Sequence, residues 1–511
     1  MSRNKKKKKE KFNVLPKSTG LSLVVIILLM VEAFFVLLMS VLDILPAKYA
    51  IIVLAVLFLM DFLVFKLMKT PKRVTNKRLV GAIIGVAMLN ILVIGCNYLF
   101  NTYDTFQKIS EYKAQWEDYY VVADADSTYQ RAEDIKGKTV YVIKAESKMY
   151  NEAKERLITK ADVEYSDVAD AATLCEKLTD KNESSNTDVI FLSRTNFELY
   201  CENHENYEAG TRIIDTITVE VKTDDFADRI SVTEDPFIMY ITGNDQYGKL
   251  EGVSRSDVNM VMAVHPVNRE ILLVSIPRDS YVMLHSYGAY DKLTHAGIYG
   301  VDETVATVED WLDIDINYYF RVNFSMLVRI VDAVGGVTVD VPKAFSSTYW
   351  DYSYEEGENH LNGKAALAFV RERKNLEGMD MERGKNQQRL LSALLKKVTQ
   401  SEVILTKYTK ILDSVEGYMQ TNMSNKDISA LVKMQINDMR GWNIKSISID
   451  GGTGMQTTYS MGSTKLSTVI PYEDSVNEAK EAIHAILYPA ENDKAAEDAK
   501  QEIDEEAVEL P

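Results

Sequence analysis

Cysteine is scarce: the 511-residue chain has three, Cys96, Cys175 and Cys201. None has CxxC spacing, which removes the usual signature of a zinc module. Cys175 and Cys201 are weak grounds for a disulfide, and Cys96 lies in an apolar run. Basic residues are scarce too, but only beyond residue 100. Residues 1–100 carry 15 Lys+Arg against 4 Asp+Glu, so the remainder carries 43 against 71. A surface that acidic argues against general nucleic-acid binding, which needs cations to meet phosphates. No Ser-His-Asp spacing appears, so a covalent nucleophile is not required. The short N-terminal part shows no helix-turn-helix, which argues against a transcription factor.

Long apolar runs are present instead, at Leu21–Leu42, Tyr49–Phe65 and Leu79–Phe100. Each is close to the roughly 20 residues that carry a helix across a bilayer. The first is too long for a signal peptide and has no small-residue cleavage site after it. The lysine-rich tail MSRNKKKKKEKF and the loop with Lys66, Lys69, Lys72, Arg73, Lys77 and Arg78 flank these spans, whereas DILPAK holds one lysine. The excess of Lys and Arg predicts a cytoplasmic N-terminus and, after three crossings, an extracellular remainder. Glu32 and Asp61 lie within the spans, where they mark a helix contact or an ion path, or else sit near enough the span ends or are protonated.

The chain divides by pattern into a basic tail (1–20), three spans (21–100) and a helical linker (101–120). A small α/β accessory domain (121–225) follows, in which strand-like and helical runs alternate. A larger domain covers 235–411, a C-terminal part packing on it covers 412–490, and an acidic tail over 491–511 is expected to lack structure.

In the larger domain three strand-like runs place polar residues at their ends. PFIMYITGND ends at Asp245, VNMVMAVHP follows Arg255 and Asp257, and REILLVSIPRDSYV runs into Arg278. If these strands are neighbours, all four residues meet at one sheet edge. Paired aspartates there suit Mg²⁺, which takes one or two carboxylates and completes its shell with phosphate oxygens and water. Solvated loop acids are the plainer alternative. Further on, FVRERKNLEGMDMERGKNQQRL concentrates cations. Arg371 and Arg373 are two apart and point one way in extended chain, while Asp380, Arg383 and Gln387 share one helix face. Arginine forks and a helix N-terminus both favour phosphate. A surface salt-bridge network with Glu372, Glu377 and Glu382 is the competing reading of the same residues.

The ordered segments RSDVNMVMAVHP, LLVSIPRDSYV, KLTHAGIYG, RVNFSMLVRIVDAVGGVTVDVP, LNGKAALAFVRERK and DMERGKNQQRL resemble the LytR-CpsA-Psr family over about 236–411. The layout of three spans and an accessory domain is similar to its CpsA-type capsule members. The resemblance implies an α/β protein whose catalytic domain has a central mixed sheet between helices, with an apolar tunnel for a polyprenyl tail. The helix Asn323–Val334 is a candidate wall of that tunnel, although most of its apolar residues are expected to fill core. The implied activity is phosphotransfer of an undecaprenyl-pyrophosphate-linked glycopolymer, capsular or teichoic-acid-like, to peptidoglycan outside the membrane. By motif, Arg255, Arg278, Arg371, Arg373 and Gln387 contact the pyrophosphate, and Asp245 and Asp257 hold Mg²⁺. Asp380, Arg383 and Asp257 are the catalytic candidates, while His295 in KLTHAG reads as structural. The implied partners are the lipid-linked polysaccharide, peptidoglycan, membrane lipid and capsule regulators, with no nucleic acid. A lipid-pyrophosphate hydrolase and a non-enzymatic membrane-anchored regulator are the alternatives.

Overall fold

A computed structural model describes residues 18–43, 45–69, 75–110, 115–144, 148–179, 188–221, 230–250, 252–400 and 413–489, together with 403, 407, 410 and 411. The basic tail to residue 17 and the acidic tail from 490 lie outside the described residues. The chain forms two units, 1–107 with Lys426–Asp438, and the rest.

In the first unit, α1 (Ser18–Leu42), α2 (Ala47–Met68) and α3 (Thr75–Ser110) follow the three apolar runs. Each is long and apolar enough to cross a membrane. Their outer faces expose apolar side chains such as Ile51, Phe58, Ile91 and Ile94. In water such a surface would associate, and in hydrocarbon it needs no partner. Leu28, Met88 and Leu92 form a small interior. A Cβ on Gly95 would stand 2.8 Å from the Phe35 ring, so glycine lets α1 and α3 approach closely. Glu32 is buried against Asp61, which places the two acidic residues at a helix contact. The segment Lys426–Asp438 joins this unit through Lys433, whose Nζ lies 2.7 Å from Asp43 Oδ1.

The second unit begins with a five-stranded sheet. Its strands are β1 (Gln115–Asp124), β2 (Thr139–Ile143), β3 (Glu164–Val168), β4 (Val189–Ser193) and β5 (Thr211–Val221), in the order β3-β2-β4-β1-β5. The parallel strands β2, β3 and β4 alternate with helices α4 (Lys148–Ala161) and α5 (Ala171–Thr179), as the pattern predicts. The linker differs from expectation. Helix α3 continues to Ser110, and 115–120 is already strand, because β1 pairs along its whole length with β5 from Gln115↔Val221 onward. Helix α6 (Arg194–Asn203) follows β4, its N-cap Ser193 accepting from Asn196 N–H. Cys175 and Cys201 are free thiols.

The larger domain is built on a six-stranded mixed sheet. Its centre is the antiparallel set β6 (Phe237–Asn244), β7 (Val258–His265) and β8 (Glu270–Ile276). Strand Tyr318–Asn323 lies parallel to β6, and Asn443–Ser448 lies parallel to β8. The C-terminal part therefore does more than pack on the domain, since it supplies an edge strand of the sheet itself.

One sheet face presents Tyr240, Val261, Ala263, Leu272 and Val274 to helices Val301–Leu312 and Glu473–Leu487, burying Val305, Val308, Ala479 and Ile483. Residues of the opposite parity face the helix Asp380–Val398, where a Cβ on Gly384 would stand 3.0 Å from Ser275 Oγ. Gln388 of that helix is buried and its amide donates to the Leu273 carbonyl at 3.2 Å and to the Ile447 carbonyl. The fold is thus α/β, a mixed sheet with helices on both faces.

Candidate functional site

The sheet register delivers the polar strand ends to one place. Gly243 pairs with Val258 and Asn259 with Ile276, so Asp245, Asp257 and Arg278 sit at the same end of three adjacent strands. Arg278 Nη1 donates to Asp257 Oδ1 at 2.6 Å. Asp257 Oδ2 is buried and has no hydrogen-bond partner among the described residues. Asp245 is held above the usual carboxylate range, first by the protein around it and second by the Asp257 charge. Because Asp245 reaches solvent, the Asp257 charge is the firmer of these causes. The arginines that lower it, Arg255, Arg371 and Arg278, are the expected site arginines.

The helix Asp380–Val398 brings the second prong. Asp380 Oδ1 lies 2.7 Å from Arg383 Nη2, and its Oδ2 lies 2.9 Å from Arg373 Nε. Asp257, Arg278, Asp380, Arg383 and Gln387 line one recess of about 30 Å³. Burial, then the neighbouring Arg278, pushes Arg383 below the ordinary arginine value. The helix starts on Gly378 and Met379, both at positive φ (95° and 47°). Met379 is the N-cap and its side chain gives no cap, while Met381 N–H donates to the Gly378 carbonyl at 3.1 Å.

Arg371 ends the helix Gly363–Arg371 in an aromatic box. Its guanidinium lies 4.7, 4.5 and 5.4 Å from the rings of Phe324, Tyr349 and Trp350. Stacking fixes the guanidinium plane while leaving its N–H edge for an anion.

The acidic neighbours Glu377 and Glu382 pair with cations other than the site arginines. Glu377 meets Lys343, and Glu382 meets Arg389 at 2.6 Å and Lys385 at 3.8 Å. Glu372 is fully buried and accepts from Thr348 N–H and Oγ, Arg373 N–H and Asn375 N–H. Burial pushes its carboxyl up, but these hydrogen bonds outweigh burial and hold it below the usual range. Glu372 therefore shapes the turn between Arg371 and Arg373 and forms no salt bridge to either among the described residues. A network with Glu372, Glu377 and Glu382 thus reaches Lys385 and Arg389 of the stretch but, among the described residues, not Arg371, Arg373 or Arg383.

Sequence reasoning missed four contributors. Glu372 and the Tyr349–Trp350 pair belong to a hairpin and turn whose packing no local pattern reveals. Buried Arg321 donates to Ser254 Oγ at 2.8 Å beneath the Arg255 segment, and burial pushes it down to about 10. Glu202, on α6 of the accessory domain, lies 2.6 Å from Arg255 Nη1. His295 belongs elsewhere: it is buried, with Nδ1 2.6 Å from Asp291 Oδ1 and 2.8 Å from Ser460 Oγ, as a structural histidine should be.

Ordered strand ends, an arginine cluster and a helix that starts at the site coincide with a family match over residues 200–485, more than half the chain. The chain belongs to the LytR-CpsA-Psr family. Over 250 residues it is 33% identical to a Bacillus mycoides protein named polyisoprenyl-teichoic acid–peptidoglycan teichoic acid transferase TagU, covering 48% of this chain and 80% of that protein. The Bacillus anthracis protein of the same name is 37% identical over 207 residues, covering 40% of this chain and 66% of its own length. The crystal structure of Bacillus subtilis TagV is 30% identical, covers 50% of this chain and 98% of that chain, and gives a TM-score of 0.42. Within this LytR-CpsA-Psr chain, three of the six motif segments, those with Asp257, with Arg278 and with Asp380 to Gln387, line the recess.

Proposed function

We propose that this LytR-CpsA-Psr protein transfers a glycopolymer from a polyprenyl pyrophosphate to peptidoglycan, on the outer face of the membrane that α1–α3 span. Convergence carries the reading: Asp245, Asp257 and Arg278 at the strand ends meet Arg383, Gln387 and Asp380 of one helix, with Arg255, Arg371 and Arg373 around them. The names of the TagU relatives supply the reaction class. An undecaprenyl carrier and a capsular polymer are the finer form of the proposal. The lysine and arginine distribution supports the outer location.

The donor set fits Mg²⁺. Asp257 presents a buried, unpartnered Oδ2, and its charge raises the neighbouring Asp245 carboxyl, so a dication would offset that repulsion. No cluster of three or more acidic, His or Cys ligands exists among the described residues, so phosphate and water would have to complete the shell. When bound, Mg²⁺ would offset negative charge on the pyrophosphate.

The chain's own residues do the positioning that phosphoryl transfer needs. Arg278, Arg371 and Arg255 hold the pyrophosphate, and Arg383 and Arg373 face the charge that grows on the leaving polyprenyl phosphate. The acceptor hydroxyl forms the new O–P bond as the bridging P–O bond breaks. Its proton goes to a site carboxylate, Asp257 or Asp380. Asp380 touches both Arg373 and Arg383, so orientation of that pair is its first role. Half-buried Phe324, Leu327 and Val328, with Leu391, Leu394 and Leu395, offer apolar surface for the lipid tail.

The test uses the full chain in detergent, a lipid-linked polymer and cell-wall acceptor. Arg373→Ala and Arg383→Ala should abolish covalent attachment while membrane insertion persists; normal attachment in both sinks the assignment. Polymer released free would favour the hydrolase. Removing divalent cations with EDTA should slow transfer, and indifference to EDTA would remove the metal.

A further inference from the structure

The accessory domain reaches into the donor site. Helix α6 carries Glu202 in its last turn, and Glu202 Oε2 accepts from Arg255 Nη1 at 2.6 Å. This contact rests on a built interface rather than on two mobile side chains meeting. Ile298, Met461 and Leu466 of the larger domain are buried in one cluster with Leu174, Leu178 and Phe197 of the accessory domain. At Gly252 the two backbones approach so closely that a Cβ would stand 2.6 Å from the Trp116 carbonyl oxygen. The acidic side chain is therefore delivered to Arg255 by the docking of one domain on the other.

Arg255 is also influenced by Asp257 and Asp245, so Glu202 is the third carboxylate around one guanidinium. The first two belong to the proposed metal pair. Glu202 has no such role, and its side chain is 52% exposed, so it can swing away. A pyrophosphate arriving at Arg255 meets a like charge already seated on its donor N–H.

We propose that Glu202 is a positioning residue that occupies the pyrophosphate's place on Arg255, so that the accessory domain sets donor affinity. The inference rests on the reading of Arg255 as a pyrophosphate ligand. Substrate binding exchanges one anion for another on the same guanidinium, and Glu202 turns out toward solvent. Such a device holds Arg255 in its working direction while no donor is bound, at some loss of affinity.

Exposed ion pairs contribute up to ~1 kcal/mol, and removal of one contributing ~0.4–1 kcal/mol should tighten donor binding about two- to fivefold. The probe is a short-chain polyprenyl pyrophosphate with Mg²⁺, titrated into the detergent-solubilised full chain by calorimetry. Four proteins are compared: the natural chain, Glu202→Gln, Arg255→Ala and the double variant, each checked by thermal unfolding. Glu202→Gln should lower the probe's Kd about two- to fivefold, lower the donor KM in step, and leave kcat unchanged. In the Arg255→Ala background the same change should do nothing. A Kd that is unchanged or raised in Glu202→Gln, or an equal shift without Arg255, overturns the proposal. Failure of the natural chain to bind the probe would instead refute the pyrophosphate reading of the site.

Discussion

Gly297→Ala is a methyl group added to a residue that touches no substrate, and it should disable the site. A Cβ at Gly297 would stand 2.6 Å from the Ser254 carbonyl oxygen, 2.8 Å from Ser256 N and 3.1 Å from the Arg255 carbonyl carbon. All three are backbone atoms, so no side chain can rotate away. Ordinary contact begins near 3.4 Å, so the Ser254–Ser256 segment must move by about 0.8 Å. That segment presents Arg255 and Asp257. It is braced by Ser256 N–H donating to the Thr294 carbonyl at 2.9 Å, and Thr294 N–H donates to the Arg278 carbonyl at 2.8 Å. Overpacking of this kind costs ~1–3 kcal/mol of stability. A misplacement near ~1 Å at a reacting centre costs on the order of 100-fold in rate. Transfer should therefore fall about 100-fold while the far-ultraviolet circular dichroism of the purified chain stays unchanged. A variant that keeps more than half the natural rate would refute the claim that this contact sets the site's geometry.

Other substitutions read single features of the fold. Glu117 is buried beside Tyr119, whose hydroxyl donates to it at 2.6 Å, and burial raises its pKa from 4.5 to about 7. A raised carboxyl stabilises the fold fully below pH 4.5 and loses that contribution as pH climbs through 7, so unfolding midpoints should fall between pH 5 and 8. The shift corresponds to about 3 kcal/mol at most, and Glu117→Gln should flatten the profile; an equally steep profile in that variant removes Glu117 as the cause. Met379→Gly should raise stability by ~1 kcal/mol, because φ of 47° with ψ of −114° strains any residue with a Cβ; a lower midpoint in chemical denaturation counts against strain there.

Features confined to one stretch of chain were the readable ones. Apolar runs ending in Asp or Arg placed Asp245, Asp257 and Arg278 at one sheet end, and the register agrees. Helical spacing put Asp380, Arg383 and Gln387 on one face, and all three line the recess. Contacts between distant segments were hidden. The pairing of Gln115 with Val221 closes about a hundred residues of chain, so the start of β1 carries no local sign of its partner and resembles the end of a linker. The aromatic box around Arg371 and the burial of Glu372 depend on a hairpin whose position follows from packing, which leaves no periodic trace. Glu202 lies 53 residues from Arg255, and its approach is set by a domain interface.

The chain's formal net charge of −17 and the proposed anion-binding site are compatible because the charges are placed locally. Long-range attraction does not bring a pyrophosphate to this acidic surface, since fields fade beyond roughly 8 Å in physiological salt. Recognition has to come from contact. Within that range the site sets Arg278 against Asp257, and Arg373 and Arg383 against Asp380, so these three cations are already paired. Such a site gains little from an anion alone, which must compete with carboxylates, and little from a dication alone, which must compete with guanidiniums. It gains most when both arrive together, because the dication then takes the aspartates as the pyrophosphate takes the arginines. On the proposed reading, selectivity for a metal-bound pyrophosphate over either component alone would be the physical consequence of the pairing.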